Sequence, residues 1–191
     1  MGNRESPFER FLEPSLRELE TWLRQIEPRF VRGSVIASTA LLDRELANLL
    51  KAFFISETTL ANELLKGFGP LATFDARIEA AFALGLISEL ERRRLELIRR
   101  IRNDFAHVPE DVSFETAQIR DRCMELQPPR PCAGLFDAPN DNPHGRFLNT
   151  SSFLFIVLFI RGRRTTHRDI PPSMTEEDVE AFVREARREE Q

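Results

Sequence analysis

The chain has 191 residues, 41% of them hydrophobic and 30% charged, with a net charge of −4 and a pI of about 5.6. That composition describes one globular domain with appendages, large enough to bury a core without metal or disulfide staples. The acidic balance argues against a surface that coats nucleic acid throughout, and the longest apolar run, residues 153–160, is far short of the ~20 residues that cross a bilayer.

Residues 5–27 repeat Phe8, Phe11, Leu12, Leu16, Leu19, Leu23 and Ile26 at threes and fours, one apolar stripe of a helix that Pro14 kinks and Pro28 ends. The opening residues lack the apolar segment of a secretory signal. Gly2 and Ser6 match only the loose myristoylation pattern, which is common by chance. Residues 31–55 predict a longer helix with a wide apolar face through Leu42, Leu46, Leu49 and Leu50, and with Asp43, Arg44 and Glu45 on its polar side. A short piece, 59–66, leads into Gly67-Phe68-Gly69-Pro70. Pro70 suits the first position of the next helix, where its missing N–H costs nothing.

That helix runs through Phe74, Ile78 and Ala81 to Gly85, a left-handed C-terminal cap. Ser88 and Glu91 form a capping box that starts another helix at once. So short a connection predicts an antiparallel pair. The second helix, residues 88–106, carries Leu95, Ile98, Ile101 and Phe105 on one stripe and ends before Pro109. Ser113 is expected to cap a further helix with Ile119, Cys123 and Leu126 inward. Residues 127–143 contain Pro128, Pro129, Pro131, Pro139 and Pro143 and read as a strap without regular structure. Residues 144–160 suit a helix or a buried strand; helix is preferred because no partner strand is evident. A basic linker, 161–174, precedes a short charged helix that Thr175 and Asp178 cap, with only Val179, Phe182 and Val183 to bury. The expected class is all-α, a bundle of four to five principal helices. Its parts are an extra N-terminal helix (1–30), the bundle (31–162, with the strap inside it) and a helical tail (163–191).

Cys123 and Cys132 have no His or Cys at ligand spacing, so they read as reduced thiols and not as a zinc site. No cofactor or metal pattern is present. Two groups of arginines stand out: Arg92, Arg93, Arg94, Arg99, Arg100 and Arg102 on one helix, and Arg161, Arg163, Arg164 and Arg168, with His167, in the linker. Either set suits phosphates, but Glu89, Glu91 and Glu96 dilute the first into an ordinary solvated face. The tight turn at Gly85 is too short for a helix-turn-helix reader, which argues against sequence-specific DNA binding.

The densest chemistry is Arg102-Asn103 with His107, at the end of the best helix. An Arg, a neighbouring polar residue and a His a few positions on resemble the Arg-x(4–6)-His motif of the HEPN superfamily, helical bundles that are commonly dimeric. In active members that motif builds a metal-independent endoribonuclease site. The resemblance implies that His107 takes a ribose 2′-OH proton, Arg102 stabilises the phosphorane and Asn103 orients either group. The same residues also read as a clamp: a His at a helix C-terminus is favoured by the dipole, and Arg and Asn satisfy the carbonyls of the turn at 108–111.

A second resemblance covers more of the chain, from about residue 34 to 131. Its carriers are Leu41-Leu42-Asp43-Arg44-Glu45-Leu46, Gly69-Pro70-Leu71, Asp75-Ala76-Arg77-Ile78, Ala83-Leu84-Gly85-Leu86-Ile87, Arg102-Asn103 with His107, and the Phe114 to Leu126 segment with the strap. These are similar to the mannitol repressor family, whose core resembles a HEPN-type bundle. The resemblance implies a cytoplasmic, non-enzymatic regulator of a sugar-alcohol operon. Such a regulator is a homodimer that acts through a protein partner without a DNA-reading module of its own. The alternative is a toxin-like ribonuclease that acts on RNA through Arg102 and His107 and is held by an antitoxin partner.

Overall fold

The computed structural model describes residues 31–56, 58–107, 112–127 and 141–189. Within them the chain forms seven helices and no strand: α1 (Val31–Phe53), α2 (Thr58–Leu65), α3 (Phe74–Ala83), α4 (Glu89–His107), α5 (Ala117–Glu125), α6 (Pro143–Arg164) and α7 (Glu176–Glu189). The all-α class is the observed one. The apolar run at 153–160 is helical, part of α6. The expected helix at 5–27 and most of the proline strap lie outside the described residues.

The bundle is built on α1 and α6, which pack together more extensively than any other pair; α1 also packs on α3 and α4, and α4 on α3, α5 and α6. Each helix turns a stripe spaced by threes and fours toward one core. The stripes are Leu42, Leu46, Leu49 and Leu50 on α1, Leu95, Ile98, Ile101 and Phe105 on α4, and Phe147, Leu154, Phe155 and Leu158 on α6. Burying one such side chain contributes about 1.5–3 kcal/mol, against at most about 1 kcal/mol for an exposed ion pair. The apolar stripes therefore decide which face of the Arg- and Glu-rich α4 turns inward.

The turn before α5 is held by aromatic packing. Phe114 lies edge-on to Phe105 of α4 at 5.2 Å, 5.6 Å from Phe147 of α6, and stacks on His144 at 4.6 Å. Burial there pushes the His144 pKa below its ordinary value.

The α3–α4 connection follows from its caps. Gly85 sits at φ +70°, the Gly85 N–H donates to the Phe82 carbonyl at 2.9 Å, and the Leu86 N–H donates to the Ala81 carbonyl at 2.8 Å. This is a Schellman cap, which needs a left-handed residue at that point. Ser88 N–H donates to Glu91 Oε2 at 2.7 Å and Glu91 N–H to Ser88 Oγ at 3.4 Å, completing the capping box. At the tail, Thr175 N–H donates to Asp178 Oδ2 at 2.8 Å, so α7 starts where its sequence predicts.

Several boundaries differ from expectation. Pro70 does not open α3: it lies in a turn, and α3 starts at Phe74 behind Thr73, whose Oγ1 accepts the Ala76 N–H at 3.2 Å. A hydroxyl that captures an orphan N–H outweighs a favourable proline φ. Ser113 does not cap α5 directly; its Oγ accepts from Glu115 N–H at 3.2 Å and orders the turn, and α5 begins at Ala117. Pro143 belongs to α6, not to the strap, because Asn142 Oδ1 takes the Gly145 N–H at 2.7 Å and proline is tolerated in a first turn. Glu45 is not on a solvated face: it is 5% exposed, and its carboxylate accepts from Arg44 Nε at 3.1 Å and from Asn48 Nδ2 at 3.4 Å.

The helix α7 stands apart from this packing, with Val179 and Phe182 exposed. The segment before it is pinned at one point: Arg168 N–H donates to the Phe53 carbonyl at 3.1 Å and its guanidinium lies 4.6 Å from the Phe53 ring. Beside it, His167 Nδ1 is 2.7 Å from the Phe54 carbonyl, so that nitrogen carries the proton.

Candidate functional site

The residues singled out on α4 do not form one joint site within a protomer. Arg102 and His107 lie on the same continuous helix. Five residues at 3.6 per turn set them about 140° apart around its axis. Both are exposed, and no hydrogen bond or ion pair joins them among the described residues. Arg102 instead donates from Nη1 to Asn103 Oδ1 at 3.0 Å. The turn at 108–111, which a clamp would hold, lies outside the described residues.

What Arg102 and Asn103 do share is a cleft of about 440 Å³ between α1, the start of α3 and α4. Two helical stripes and one turn build it. Ile36, Thr39, Ala40 and Asp43 follow the i, i+3, i+4, i+7 spacing on α1, and Arg99, Arg102 and Asn103 follow i, i+3, i+4 on α4. Ala72, Thr73, Phe74 and Asp75 close the third side. His107 is not part of this lining.

The charges of the cleft are mostly answered. Asp43 accepts from Arg77 Nη1, and Asp75 lies 3.0 Å from Arg99 Nε. Arg77 is 9% exposed and spends its other donors on backbone: Nε on the Leu71 carbonyl at 2.9 Å, and Nη2 on the Leu65 carbonyl at 2.7 Å and the Ala72 carbonyl at 3.3 Å. Arg77 therefore holds the end of α2 and the turn after it against α1, which shapes the cleft wall. Arg102 is the cation of the lining that has no carboxylate partner among the described residues.

The arginine groups read as phosphate binders resolve differently. On α4, Arg92 lies 3.0 Å from Glu79, Arg93 2.8 Å from Glu89 and Arg100 3.2 Å from Glu96. Arg94 donates to the Gln127 carbonyl at 2.5 Å, and burial pushes its pKa down. Like Arg163 and Arg164, Arg161 belongs to α6 and not to a linker. It grips both oxygens of Glu91 at 2.8 and 2.9 Å and donates to the Leu86 carbonyl at 2.7 Å. Arg163 lies over the Phe159 ring at 4.9 Å.

Cys123 is a free, buried thiol, and Cys132 lies outside the described residues. Among the described residues no group of three His, Cys, Asp or Glu side chains is placed to hold a metal ion. No described helix is long and apolar enough to cross a membrane.

Fold and site together define an all-α bundle with a small cleft of mixed apolar and polar lining, in which Arg99 is paired with a carboxylate and Arg102 is held by an amide oxygen. Its membership is specific: the family model of MtlR, the mannitol repressor, matches residues 23–141, more than half of the chain. The chain belongs to the mannitol repressor family and is a repressor-type regulator. Neither the curated proteins nor the solved structures contain a match.

The cleft and the two long-range arginine links were not read from the sequence. The first had a signal, since Thr39, Ala40 and Asp43 form a small and polar stripe beside the apolar one. The links had none, because Arg77 and Arg161 reach across 34 and 70 residues.

Proposed function

We propose that the protein represses transcription of a sugar-alcohol operon through a protein partner, as a cytoplasmic homodimer, without reading operator DNA itself. The observation that carries this reading, beside family membership, is the fate of the α4 arginines. Arg92, Arg93, Arg99 and Arg100 each lie within 3.2 Å of a carboxylate on α3 or α4. Paired in this way, they offer little net charge to a phosphate backbone, whose neutralisation supplies most non-specific DNA affinity. The α3–α4 turn is closed by a Schellman cap, and the face of α4 behind it spends its donors on those carboxylates, so no free recognition set follows the turn. A protein partner has a surface available on α7, where Val179 and Phe182 are exposed on an otherwise charged helix.

The test is a gel-shift titration of purified protein on the operator of its cognate operon, run beside capture of partners from the same cells on immobilised full-length chain. The reading expects no shift at micromolar protein and a captured regulator whose loss abolishes repression. A sequence-specific shift by the purified chain alone would overturn it.

A further inference from the structure

The cleft between α1, the start of α3 and α4 is concave and lined by both apolar and polar side chains. Its lining has apolar members, Ile36, Ala40 and Phe74. Its other members carry groups of both hydrogen-bonding senses: the carboxylates of Asp43 and Asp75, the hydroxyl of Thr73 and the amide of Asn103. Concave sites with apolar linings and a few convergent polar groups are the usual form of small-molecule sites.

Charge separates the candidate ligands. Asp43 is matched by Arg77 and Asp75 by Arg99, which leaves Arg102 in surplus. The first turn of α3 borders the same space through Phe74 and Asp75, and its own carboxylate and the Thr73 cap already answer the helix N-terminus, so the surplus charge is that of Arg102. A neutral ligand leaves that positive charge unanswered. A ligand with one anionic group answers it, because a guanidinium held by a single amide oxygen keeps donors for a bidentate contact. The carboxylates of Asp43 on α1 and Asp75 on α3 can accept hydrogen bonds from hydroxyls.

We propose that this cleft binds a small polyol phosphate, with the phosphoryl group on Arg102 and Asn103 and the hydroxyls on Asp43, Asp75 and Thr73. Of the family reading it uses only the sugar-alcohol chemistry, and it adds a direct effector to a regulator otherwise understood through its partners. A bound ligand would bridge α1, the start of α3 and α4, so its arrival is felt by three helices of the bundle at once.

The test is calorimetric titration of the full-length chain with mannitol 1-phosphate, mannitol and inorganic phosphate. The expected result is that the ester binds at least about tenfold more tightly than either fragment, as a charge-assisted contact added to hydroxyl contacts implies. Arg102→Gln should weaken the ester about tenfold or more while its unliganded melting temperature stays at that of the wild type, since the side chain is exposed. Arg100→Gln, on the same helix but outside the cleft, should bind as the wild type does. Three results overturn the proposal: no heat with the ester at millimolar concentration, equal affinity for inorganic phosphate, or unchanged affinity in Arg102→Gln. Because the titration uses the chain alone, its failure leaves partner-mediated repression standing, and failure to capture a partner leaves the titration standing.

Discussion

Arg77 of α3 and Asp43 of α1, 34 residues apart, meet in an ion pair within the span that the mannitol repressor family model matches. The pair does more than connect helices. Arg77 also takes the carbonyls of Leu65, Leu71 and Ala72, so one guanidinium satisfies the end of α2 and the turn into α3.

Removing Arg77 should therefore cost more than removing its carboxylate. Arg77→Met leaves three carbonyls and a half-buried aspartate without their donor, and should destabilise the fold by about 3 kcal/mol. Asp43→Asn keeps an acceptor in place and should cost about 1 kcal/mol. Urea unfolding of the two variants checks the order. Equal midpoints would show that the carbonyl contacts contribute nothing.

Arg161 and Glu91 give a second, independent link, between the end of α6 and the first turn of α4. Glu91 serves two structures at once: its carboxylate closes the capping box on Ser88 and receives both edges of Arg161. Glu91→Ala should cost about 2–3 kcal/mol, the loss of a cap plus a partly buried charge pair. Arg161→Ala should cost less, because that side chain is 39% exposed and the capping bond survives. The double variant should cost little more than Glu91→Ala alone, and a double-mutant cycle measures that coupling.

How far the sequence foretells this molecule depends on whether the information is local. The Schellman cap at Gly85, the boxes at Ser88 and Thr175 and the stripe on α4 are legible because each is written in spacings of a few residues along one stretch of chain. Pro70 misleads for the same reason in reverse: a proline suits a helix start, but Thr73, three residues on, has a hydroxyl that takes the orphan N–H. Glu45 misleads because a charge beside Asp43 and Arg44 reads as solvated, and its burial depends on helices that pack on α1 from elsewhere in the chain. At the site, Arg102 and Asn103 are adjacent in the sequence, yet their neighbours in the cleft come from α1 and the start of α3. Only tertiary packing brings those together, and the same packing leaves His107 out.

Cys123 supplies a prediction in pH. Burial pushes its thiol from an ordinary 9.0 up to about 12. The folded state thus holds the proton over a range where the unfolded chain has lost it. The contribution is fully present below about pH 9 and is lost as pH rises from there through about 12. Stability should fall across that window in the wild type and fall less steeply in Cys123→Ala, measured by thermal melts at each pH. Native protein at pH 8 should react with a thiol reagent at position 123 only as fast as it unfolds, since a buried neutral thiol is inert.

Two glycines make a final contrast that separates backbone strain from steric clash. At Gly85 an added Cβ meets nothing within 4 Å, but the residue sits at φ +70°. Gly85→Ala should therefore cost about 1 kcal/mol, the left-handed penalty alone, and leave the α3–α4 turn intact. At Gly69 no left-handed φ is involved, yet a Cβ would lie 2.1 Å from the Glu63 carbonyl oxygen and 2.5 Å from that of Leu64. Backbone cannot yield as a side-chain end does, so Gly69→Ala must displace the end of α2 and with it the carbonyls that Arg77 holds. Its cost should exceed that of Gly85→Ala by at least about 1–2 kcal/mol. Thermal melts of the two single variants decide the matter. A Gly69→Ala protein no less stable than Gly85→Ala would mean that the turn between α2 and α3 relaxes freely and that Arg77 does not hold it.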